Sequence, residues 1–597
     1  MSLSSPSSVD ESTRDIIKII VLKNAIQYGG KARNEIVISK TIAQRPDLRN
    51  ILKILIPEIK VSVEKINSLT LNEQKVMFAH IAPHEPAPDK KVTRDHDTNL
   101  PALQDAEMGN VMTRFPPEPN GYPHLGHAKA AIIDEEYARR YNGKLILRFD
   151  DTNPLNEKSE YYDAIREGLE WLGIEPDIVK NTSDDIQLLC NYGKKLVEIG
   201  GAYVCTCSQP VMRDLRSKGI PCDCRMDTTR AGDLLRKFFG SFEPNAAVLR
   251  FKGNMADQNT AMRDPTLFRI IEAHHPKLGN SNRVWPTYDF AAPLEDSLDG
   301  VTHALRTKEY ELRNPLYFSI LERLSLRKPW MLEFSRLEFE GMPVSKRKIK
   351  PLIENGLVKG WDDPRLPTLA AIKRRGFRPQ AIRKFVLSLG LTLSETKPPF
   401  EALEAFNRKI VDSQSIRLFF VRDPVQLQVR NGDFTKQVTL NNHPNINLGH
   451  RNIRVSNSFY IAGDDAASIR VGDEIRLMEL YNIRIADIKS QHIPQLHGSY
   501  CTSSDTSRLI IAEQTGDYLK HDMSKIQWVA MEDALPYRIM IARDLYIEEN
   551  YNTNSLETCE GFAESYVSAL KQGTIIQFVR FGFCRIDGNN TAIFTHR

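Results

Sequence analysis

Long hydrophobic runs are missing from this chain. No stretch of the 597 residues approaches the roughly 20 consecutive apolar residues that a membrane-spanning helix needs. The first residues, MSLSSPSSVDESTRD, contain neither an apolar signal core nor the acid-free, arginine-bearing pattern of a transit peptide. We therefore expect a cytoplasmic protein that has no membrane partner.

Net charge and cysteine are also scarce. The 80 Lys and Arg residues are nearly balanced by 76 Asp and Glu residues, which leaves a net charge of +4. Overall charge therefore does not indicate a nucleic-acid binder, and any RNA contact must come from local basic patches. In the cytoplasm we expect the 8 cysteines to be thiols or metal ligands rather than disulfides.

The N-terminal region has the pattern of a separate helical piece. Apolar periodicity predicts helices over Asp15–Tyr28, Arg49–Ile56 and Leu71–Ile81. The polar, proline-bearing stretch Ala82–Met108 that follows is typical of a linker. The helices contain no residues with evident chemistry, so simple packing and docking on a protein partner both remain open for them.

The stretch Arg114–Ala131, RFPPEPNGYPHLGHAKAA, is the most informative in the chain. It predicts a strand over Val111–Phe115 that leads through a Pro/Gly-rich turn into the start of a helix. His124 and His127 lie one turn apart at that helix start, where free backbone N–H groups and the helix dipole favour an anion such as a triphosphate. Gly126 leaves room for a flat base beside the helix. A helix that happens to carry two histidines is the alternative.

A second strand and helix follow directly. The apolar run Lys144–Phe149 is typical of a buried parallel strand, and the pattern over Glu157–Leu172 predicts a helix. Such alternation favours a doubly wound α/β sheet, in which ligands bind beyond the carboxyl ends of the strands. Asp150 and Asp151 fall at such an end, although an acidic pair there also suits a helix cap or a solvated turn.

Four of the cysteines are paired in the segment YVCTCSQPVMRDLRSKGIPCDCR. They are Cys205 and Cys207, then Cys222 and Cys224. Four thiolates in two close pairs suit a closed, tetrahedral zinc site, which is structural because no coordination position remains for water. Four ordinary thiols are the alternative.

Two later segments are basic, and the last third of the chain has a pattern of short alternating apolar and polar runs. The segment Ser345 to Lys348, within VSKRK, is by itself typical of a solvated turn. The segment AIKRRGFRPQAIRKF predicts a basic helix that faces solvent or contacts RNA phosphates. From about Asp423, short alternating runs with Gly, Asn and Asp turns indicate β-barrels or sandwiches. The runs are VQLQVR, KQVTL, FYIAG, DEIRLMEL, YNIRIADI, RLIIAE, IQWVAM, YRIMIARDLYI and IIQFVRFGFCRID.

Several of these segments resemble one known family. RFPPEPNGY with HLGH is similar to the first signature of class I aminoacyl-tRNA synthetases, in the form of the glutamyl/glutaminyl subgroup. VSKRK resembles the second signature, with Val344 where methionine is common. NHPNINLGHR and its flanking strands resemble the two-barrel anticodon-binding end of archaeal and eukaryotic members. The resemblance runs from Val111 to the C-terminus.

The resemblance implies a multidomain fold of α/β and all-β parts. A Rossmann-like catalytic domain would carry a zinc-bearing insertion for the acceptor end, followed by a helical connector and tandem β-barrels, with an N-terminal helical domain in front. The implied boundaries are 1–105 for the N-terminal helices and linker, 106–203 and 266–335 for the catalytic halves, 204–265 for the insertion, 336–415 for the SKRK loop and connector, and 416–597 for the barrels.

The resemblance also implies the roles of individual residues. His124, His127 and Lys346 would be catalytic. ATP would be bound by Glu118, Asn120, His124, Gly126, His127, Lys129, Thr307, Arg336, Leu337, Ser345 and Lys346. Glutamate would be bound by Arg114, Asp150, Tyr288 and Arg306, and structural Zn²⁺ by Cys205, Cys207, Cys222 and Cys224.

The implied activity is ATP-dependent and Mg²⁺-assisted attachment of glutamate to the 3′ end of tRNA(Glu) through a glutamyl-adenylate. Whether tRNA(Gln) is a second substrate stays open. Arg306 stands where glutaminyl enzymes carry a small or uncharged residue, and two guanidinium groups can pair both carboxylates of glutamate. A glutaminyl enzyme is the near alternative, and an inactive RNA-binding or assembly protein is the alternative of another class.

Overall fold

The structure of the protein, a computed structural model, describes residues 10–27, 31–32, 34–45, 48, 51–82, 100–227, 229–342, 346–395, 397–431, 436–491, 507–518 and 523–597. The chain divides into two units, Met1–Thr98 and Asn99–Arg597. Within the described ranges, no helix is both long and apolar enough to cross a membrane.

The described part of the first unit is helical, as predicted. Its helices are α1 (Glu11–Gln27), α2 (Asn34–Gln44), α3 (Leu52–Asn67) and α4 (Leu71–Ile81). They bury a common core that includes Leu22, Val37, Ile59 and Phe78. Helix α4 has the predicted bounds, α2 was not predicted, and the helix predicted to end at Ile56 continues through Pro57 to Asn67.

A parallel sheet begins the second unit. Its strands are β1 (Met112–Phe115), β2 (Lys144–Phe149) and β3 (Ile178–Asn181), and α5 (Leu125–Arg140) and α6 (Ser159–Leu172) connect them. All pairs in the order β1-β2-β3 are parallel. Strand β2 has the predicted bounds because its run of apolar residues is buried on both faces.

An antiparallel sheet of four strands follows. It consists of β4 (Ala202–Cys205), β5 (Val248–Phe251), β6 (Thr266–Ile270) and β7 (Val284–Pro286), paired in chain order. The helices around it are α7 (Ile186–Glu198), α8 (Gln209–Lys218), α9 (Asp223–Met226) and α10 (Ala231–Gly240). Leu249, Phe268 and Trp285 lie in its core, which is separate from the core under β1 and β2.

The chain then returns to the parallel sheet. Helix α11 (Tyr288–Leu298), β8 (His303–Thr307), α12 (Asn314–Arg323) and β9 (Trp330–Phe334) follow in order, and β8 and β9 are parallel. The N–H of Thr302 donates to the Met112 carbonyl at 2.9 Å, so β8 lies beside β1. The spatial order is therefore β3-β2-β1-β8-β9, and the order reverses between β1 and β8, where doubly wound folds bind ligands. The predicted α/β fold is confirmed.

Four helices connect the sheet to the C-terminal third. They are α13 (Lys346–Glu354), α14 (Leu369–Arg374), α15 (Pro379–Leu389) and α16 (Phe400–Val411). The predicted basic helix is thus two helices, α14 and α15. Three of its arginines form ion pairs within the chain: Arg374 with Asp587 at 2.7 Å, Arg375 with Glu404 at 3.7 Å and Arg383 with Glu135 at 2.6 Å.

The rest of the chain is almost entirely β-structure. Its strands are β10 (Ile416–Leu418), β11 (Phe420–Arg422), β12 (Val425–Arg430), β13 (Lys436–Asn441), β14 (His450–Val455), β15 (Ser458–Ile461), β16 (Glu474–Leu477), β17 (Asn482–Gln491), β18 (Ser507–Gly516), β19 (Ser524–Ile526), β20 (Trp528–Ala530), β21 (Ala534–Ala542), β22 (Tyr546–Ile547), β23 (Asn550–Tyr551), β24 (Leu556–Glu564), β25 (Ile575–Phe578), β26 (Gly582–Gly588) and β27 (Thr591–His596), with the short helix α17 (Gly463–Ser468).

Two seven-stranded sheets in this region close on themselves. The first barrel has the order β19-β16-β17-β18-β12-β15-β20, and the second barrel has the order β10-β25-β26-β27-β21-β24-β11. In each order the two outermost strands are neighbours in the chain, separated only by Gln527 in the first barrel and by Phe419 in the second. A single bent strand therefore pairs on both sides, and the predicted tandem barrels are confirmed.

Candidate active site

The residues predicted to bind ATP and glutamate lie around the carboxyl edge of the parallel sheet. The N–H of Asp150 donates to the Pro117 carbonyl at 3.1 Å, so the loop after β1 rests on the end of β2. Several predicted ATP contacts belong to loops at this edge: Glu118 and Asn120 after β1, Thr307 at the end of β8, and Arg336 and Leu337 after β9. Ser345 and the side chain of Lys346 lie outside the described residues.

His124 and His127 form a reciprocal cap on helix α5. His124 is the N-cap residue, and its Nδ1 accepts the backbone N–H of Gly126 at 3.0 Å. Nδ1 of His127 accepts the backbone N–H of His124 at 3.2 Å. The ring centroids are 3.9 Å apart. Since Nδ1 is an acceptor in both rings, a neutral imidazole must carry its proton on Nε2.

Both imidazoles are held in the neutral form. Burial lowers the pKa of His127 to about 4. Burial also lowers the pKa of His124 well below its ordinary value, with smaller contributions from His127 and from the guanidinium of Arg336. The site therefore presents two Nε2–H donors at neutral pH at the positive end of a helix. An anion is the group that such a site can hold.

The start of helix α5 is fixed by the connector. His124 and Thr368 form an antiparallel β-bridge, the Leu125 N–H donates to the Pro367 carbonyl at 3.0 Å, and the Leu369 N–H donates to the Pro123 carbonyl at 2.9 Å. These bonds leave the segment that carries the histidines little freedom to move away from α14.

Lys129 makes a contact that the sequence did not suggest. Its ammonium group is buried, donates to the Ser335 carbonyl at 2.6 Å and lies 5.4 Å from the Phe334 ring centroid. Burial lowers the pKa of Lys129 to about 8. Lys129 thus joins α5 to Ser335, which directly follows β9. The next residue, Arg336, forms an ion pair with Glu309. Its role in ATP binding stays a prediction.

The four residues predicted to bind glutamate lie within electrostatic range of one another. Burial raises the pKa of the Tyr288 hydroxyl to about 12, and the nearby charges of Arg306, Arg114 and Asp150 also act on it. The Tyr288 ring lies against the Tyr310 ring, with 4.8 Å between centroids. The four side chains therefore lie near one another at the β1/β8 switch point, where we place the amino-acid pocket.

Arg306 is a buried cation that lacks an acid partner among the described residues. It is 6% exposed, and its Nε is buried without a hydrogen-bond partner. Its Nη2 donates to the Tyr310 carbonyl at 3.3 Å, and its guanidinium carbon lies 5.3 Å from the Tyr317 ring centroid and 5.8 Å from that of Tyr310. Aromatic faces stabilise a cation but do not neutralise it.

Arg114 and Asp150 are held by buried ion pairs. Arg114 is 2% exposed, and its Nε donates to Asp296 Oδ1 at 3.0 Å. Nη1 of Arg148 forms an ion pair with the same Asp296 oxygen at 2.8 Å, and Nε of Arg148 donates to Asp150 Oδ1 at 2.9 Å. Burial raises the pKa of Asp296, but the attraction of Arg114 and Arg148 outweighs burial and leaves that pKa below its ordinary value.

Asp151 has a different environment from Asp150. Its carboxylate is fully buried and accepts from the Tyr162 hydroxyl and from the backbone and side chain of Ser183, all at 2.7 Å. Burial raises the pKa of Asp151 to about 6. The oxygens of Asp151 already accept three hydrogen bonds from the protein. Asp150 is therefore the aspartate of the pair that remains as a candidate for binding the substrate.

The four predicted zinc ligands come together beside strand β4. Cys205 ends β4, Cys222 precedes α9, and the four sulfurs lie within 4.8 Å of one another. The Cys205–Cys222 and Cys207–Cys224 Sγ distances are 4.0 and 3.7 Å. Tetrahedral zinc with Zn–S bonds of about 2.3 Å requires S···S distances of about 3.8 Å. The cluster therefore fits a structural zinc ion.

Family models match consecutive parts of the second unit. The model described as the catalytic domain of class I tRNA synthetases (E and Q) matches residues 110–413, and two anti-codon binding domain models of the same class match residues 415–501 and 525–587. The chain belongs to the class I tRNA synthetases for glutamate and glutamine. The resemblance inferred from the two signatures is thereby confirmed.

Similar proteins extend over nearly the whole length of this synthetase. The glutamate–tRNA ligase of Nitrosopumilus maritimus is 46% identical over 99% of this chain and 100% of its own. That of Cenarchaeum symbiosum is 47% identical over 97% of this chain and 98% of its own. That of Pyrococcus abyssi is 37% identical over 96% of this chain and 98% of its own. The match includes the N-terminal helices, which the signatures do not cover.

Sequence reasoning missed several residues that shape the pocket of the synthetase: Arg148, Asp296, Tyr310, Tyr317 and Thr368. Two of them had a usable signal. Arg148 is the one charged residue inside the buried part of β2, and Asp296 follows the apolar run FAAPL of α11 by two positions. A charge in an apolar run indicates a buried ion pair, because an unpaired charge there is costly.

Proposed function

We propose that this synthetase attaches L-glutamate to the 3′ end of tRNA(Glu), using ATP and forming a glutamyl-adenylate. The observation that carries the proposal is the uncompensated guanidinium of Arg306 beside Tyr288. Relatives that are similar over almost their full length carry the name glutamate–tRNA ligase, which supports the proposal.

The preference for glutamate follows from the charge of the two arginines. Arg114 is already paired with Asp296, whereas Arg306 has no acid partner in the described part of the chain. The side-chain carboxylate of glutamate supplies the missing negative charge, and guanidinium and carboxylate can form a bidentate pair. Glutamine would leave a buried cation facing an amide, which is unfavourable by several kcal/mol.

The remaining groups of the amino acid have candidate partners in the same pocket. Asp150 lies close enough to act on the charge of Tyr288 and would accept the α-ammonium group, with its Oδ1 fixed by Arg148 at 2.9 Å and by Thr182 at 3.0 Å. Arg114 would then attract the α-carboxylate toward the nucleotide. These three contacts match the three charges of glutamate.

Activation needs no general base, because the glutamate carboxylate is already an anion. The carboxylate oxygen attacks the α-phosphate of ATP, an acyl–phosphate bond forms, and pyrophosphate leaves. The Nε2–H groups of His124 and His127 would donate to the phosphates, and Lys346 would close over them from the SKRK loop. Mg²⁺ that accompanies ATP would neutralise charge on the phosphates, and no residue of this chain is proposed as its ligand.

The parts outside the pocket would bind the tRNA. We assign the segment 204–265, which carries the cysteine cluster, to the acceptor end and the two barrels to the anticodon, as the matched anti-codon binding models suggest. Zinc bound by Cys205, Cys207, Cys222 and Cys224 would hold the segment in shape without taking part in the reaction.

ATP–pyrophosphate exchange in the presence of tRNA, with glutamate and glutamine compared, tests the proposal. The wild-type enzyme should use glutamate, and Arg306→Gln should lose at least about tenfold in kcat/KM for glutamate because one charged pair is lost. Lys346→Ala should abolish exchange. Arg323 is more exposed than Arg306, lies over the Phe251 ring and donates to backbone carbonyls outside the pocket, so Arg323→Gln is the control for the loss of an arginine charge elsewhere in the chain.

Two results would overturn the proposal. A wild-type enzyme that activates glutamine in preference to glutamate is a glutaminyl enzyme. A protein that binds tRNA but gives no exchange with either amino acid is an RNA-binding protein on a synthetase fold. Charging of purified tRNA(Glu) and tRNA(Gln) with labelled glutamate then determines whether one or both tRNAs are substrates.

A further inference from the structure

A single buried carboxylate, that of Asp296 in α11, lies behind the amino-acid pocket. Asp296 is fully buried, and both of its oxygens accept strong donors. Oδ1 accepts a hydrogen bond from Nε of Arg114 at 3.0 Å and forms an ion pair with Nη1 of Arg148 at 2.8 Å, and Oδ2 accepts the Tyr317 hydroxyl at 2.9 Å. No substrate atom can reach a group that is so completely covered.

Each charged side chain of the pocket contacts this carboxylate either directly or through one intervening residue. Arg114 binds Asp296 directly. Asp150 is bound by Arg148, which binds Asp296. Arg306 lies over the ring of Tyr317, whose hydroxyl donates to Asp296.

We propose that Asp296 is a positioning residue for the amino-acid substrate, which fixes Arg114, Asp150 and Arg306 in the arrangement that accepts glutamate. This inference rests on the proposed function, since it assigns those three side chains to glutamate. Asp296 itself touches no reacting atom and acts only through Arg114, Arg148 and Tyr317.

The electrostatics of the cluster explain why a carboxylate is needed. Arg114 and Arg148 share one oxygen of Asp296, so the two guanidinium groups lie close together and repel each other. A negative charge between them converts this repulsion into two ion pairs with defined directions. An amide at the same position offers one acceptor oxygen but no charge, so both guanidinium groups would separate and reorient.

A purely stabilising role for Asp296 makes a different prediction. Loss of a buried ion pair lowers stability wherever it occurs, and it would then affect the binding of ATP and of glutamate to a similar extent. A positioning role acts on the glutamate side of the pocket, because the hydrogen bonds and ion pairs of Asp296 among the described residues join it to Arg114, Arg148 and Tyr317 and not to the histidines of α5. The split between the two KM values therefore separates the two roles.

The test is tRNA-dependent ATP–pyrophosphate exchange with Asp296→Asn. The KM for glutamate should rise at least about tenfold, while the KM for ATP should stay within about twofold of wild type. The matched control is Asp363→Asn, since Asp363 is also buried and also accepts from a guanidinium group, that of Arg365, through both oxygens but lies in the connector. This control should leave the KM for glutamate near the wild-type value.

Tyr317→Phe keeps the test decisive if Asp296→Asn does not fold. The ring under Arg306 remains and only the hydroxyl that donates to Asp296 is lost, so the KM for glutamate should rise a few-fold with an unchanged KM for ATP. A KM for glutamate equal to that of wild type in the folded Asp296→Asn or Tyr317→Phe enzyme would overturn the inference, as would equal increases in both KM values. The proposed function is judged separately, by whether the wild-type enzyme activates glutamate.

Discussion

His124 and Thr368 pair across a β-bridge that joins the start of α5 to the start of α14. The Thr368 hydroxyl accepts the Ala371 N–H at 3.2 Å, which caps α14, and donates to the Trp361 carbonyl. Trp361 stacks on Tyr122, which lies two residues before His124, with 5.3 Å between ring centroids. The histidine segment is therefore held by the connector through both backbone and side-chain contacts.

Thr368→Val keeps the shape of the side chain but removes the hydroxyl that caps α14, so it should destabilise the protein by about 1–2 kcal/mol. It should also raise the KM for ATP, because the connector then holds the histidine segment less firmly. Thermal denaturation and tRNA-dependent exchange at varied ATP concentration measure the two effects. Thr368→Ser keeps the hydroxyl and should leave the KM for ATP unchanged. If the Val variant is destabilised but keeps the wild-type KM for ATP, the connector does not hold the histidine in place.

Zinc should be present at one ion per chain in the purified protein. Cys222→Ser should lose the metal and lower the thermal midpoint, because a structural zinc site contributes directly to folding. Cys190 is buried in the neighbouring helix α7 and lies outside the cluster, so Cys190→Ser should keep the metal. Metal analysis and denaturation with and without a chelator provide the measurement, and a metal-free, chelator-insensitive protein would refute the assignment.

Acid should destabilise the junction between α16 and β27 through His596. Nε2 of His596 accepts Nδ2 of Asn407 at 2.9 Å, the Asn407 carbonyl accepts the Arg378 N–H at 2.8 Å, and burial lowers the pKa of His596 to about 4. Because the folded pKa is below the unfolded value of about 6.5, the neutral ring contributes stability above pH 6.5 that is lost as the pH falls toward 4.

Between about pH 7.5 and 5 this loss should amount to about 2 kcal/mol. Thermal midpoints of the wild type and of His596→Gln at both pH values measure it. The wild type should lose more stability on acidification than the variant. Equal losses would show that His596 does not titrate differently in the folded and unfolded states.

Arg451 and Glu564 should act as one unit that joins the hairpin β13–β14 to the second barrel. Arg451 is 3% exposed and Glu564 1% exposed, Arg451 Nη2 donates to Glu564 Oε1 at 2.8 Å, and the Phe419 N–H donates to the same oxygen at 2.7 Å. Arg451→Met or Glu564→Gln should cost about 3–5 kcal/mol each, and the double variant clearly less than their sum.

The solvent-exposed pair of Arg543, directly after β21, and Glu557, in β24, is the control for this double-mutant cycle; its N–O distance is 2.7 Å. Its coupling energy should not exceed about 1 kcal/mol, because water screens exposed charges. Urea denaturation of both sets of variants gives the coupling energies. Additive effects at Arg451 and Glu564 would contradict the assignment.

The parts of the fold that could be predicted are those whose signal is local. Lys144–Phe149 is one uninterrupted apolar run, and the observed β2 has the same bounds. The four cysteines predicted a metal cluster because each pair is closely spaced and a short loop can bring the two pairs together, and the four sulfurs do lie together. The helix predicted to end before Pro57 was too short, since tertiary packing of Ile59 and Val63 holds the helix through the proline.

The parts that could not be predicted depend on contacts between distant segments. Arg114 and Asp296 belong to β1 and α11, and the sequence does not show that the two elements meet. The same is true of Lys129 and Ser335, whose contact joins α5 to β9. Motifs identify which residues matter for chemistry, but the partners that orient those residues become visible only when the sheet order is known.

Phe419 and Gln527 have a consequence for how the C-terminal third can meet other molecules. Each residue divides one bent strand whose halves bond to opposite neighbours, so neither barrel has a free border strand among the described residues. An extended peptide or a strand from another copy would find no border strand of either barrel to extend, and this closure does not include the separate hairpins β13–β14 and β22–β23. Recognition by these barrels must therefore depend on side chains and loops rather than on strand addition.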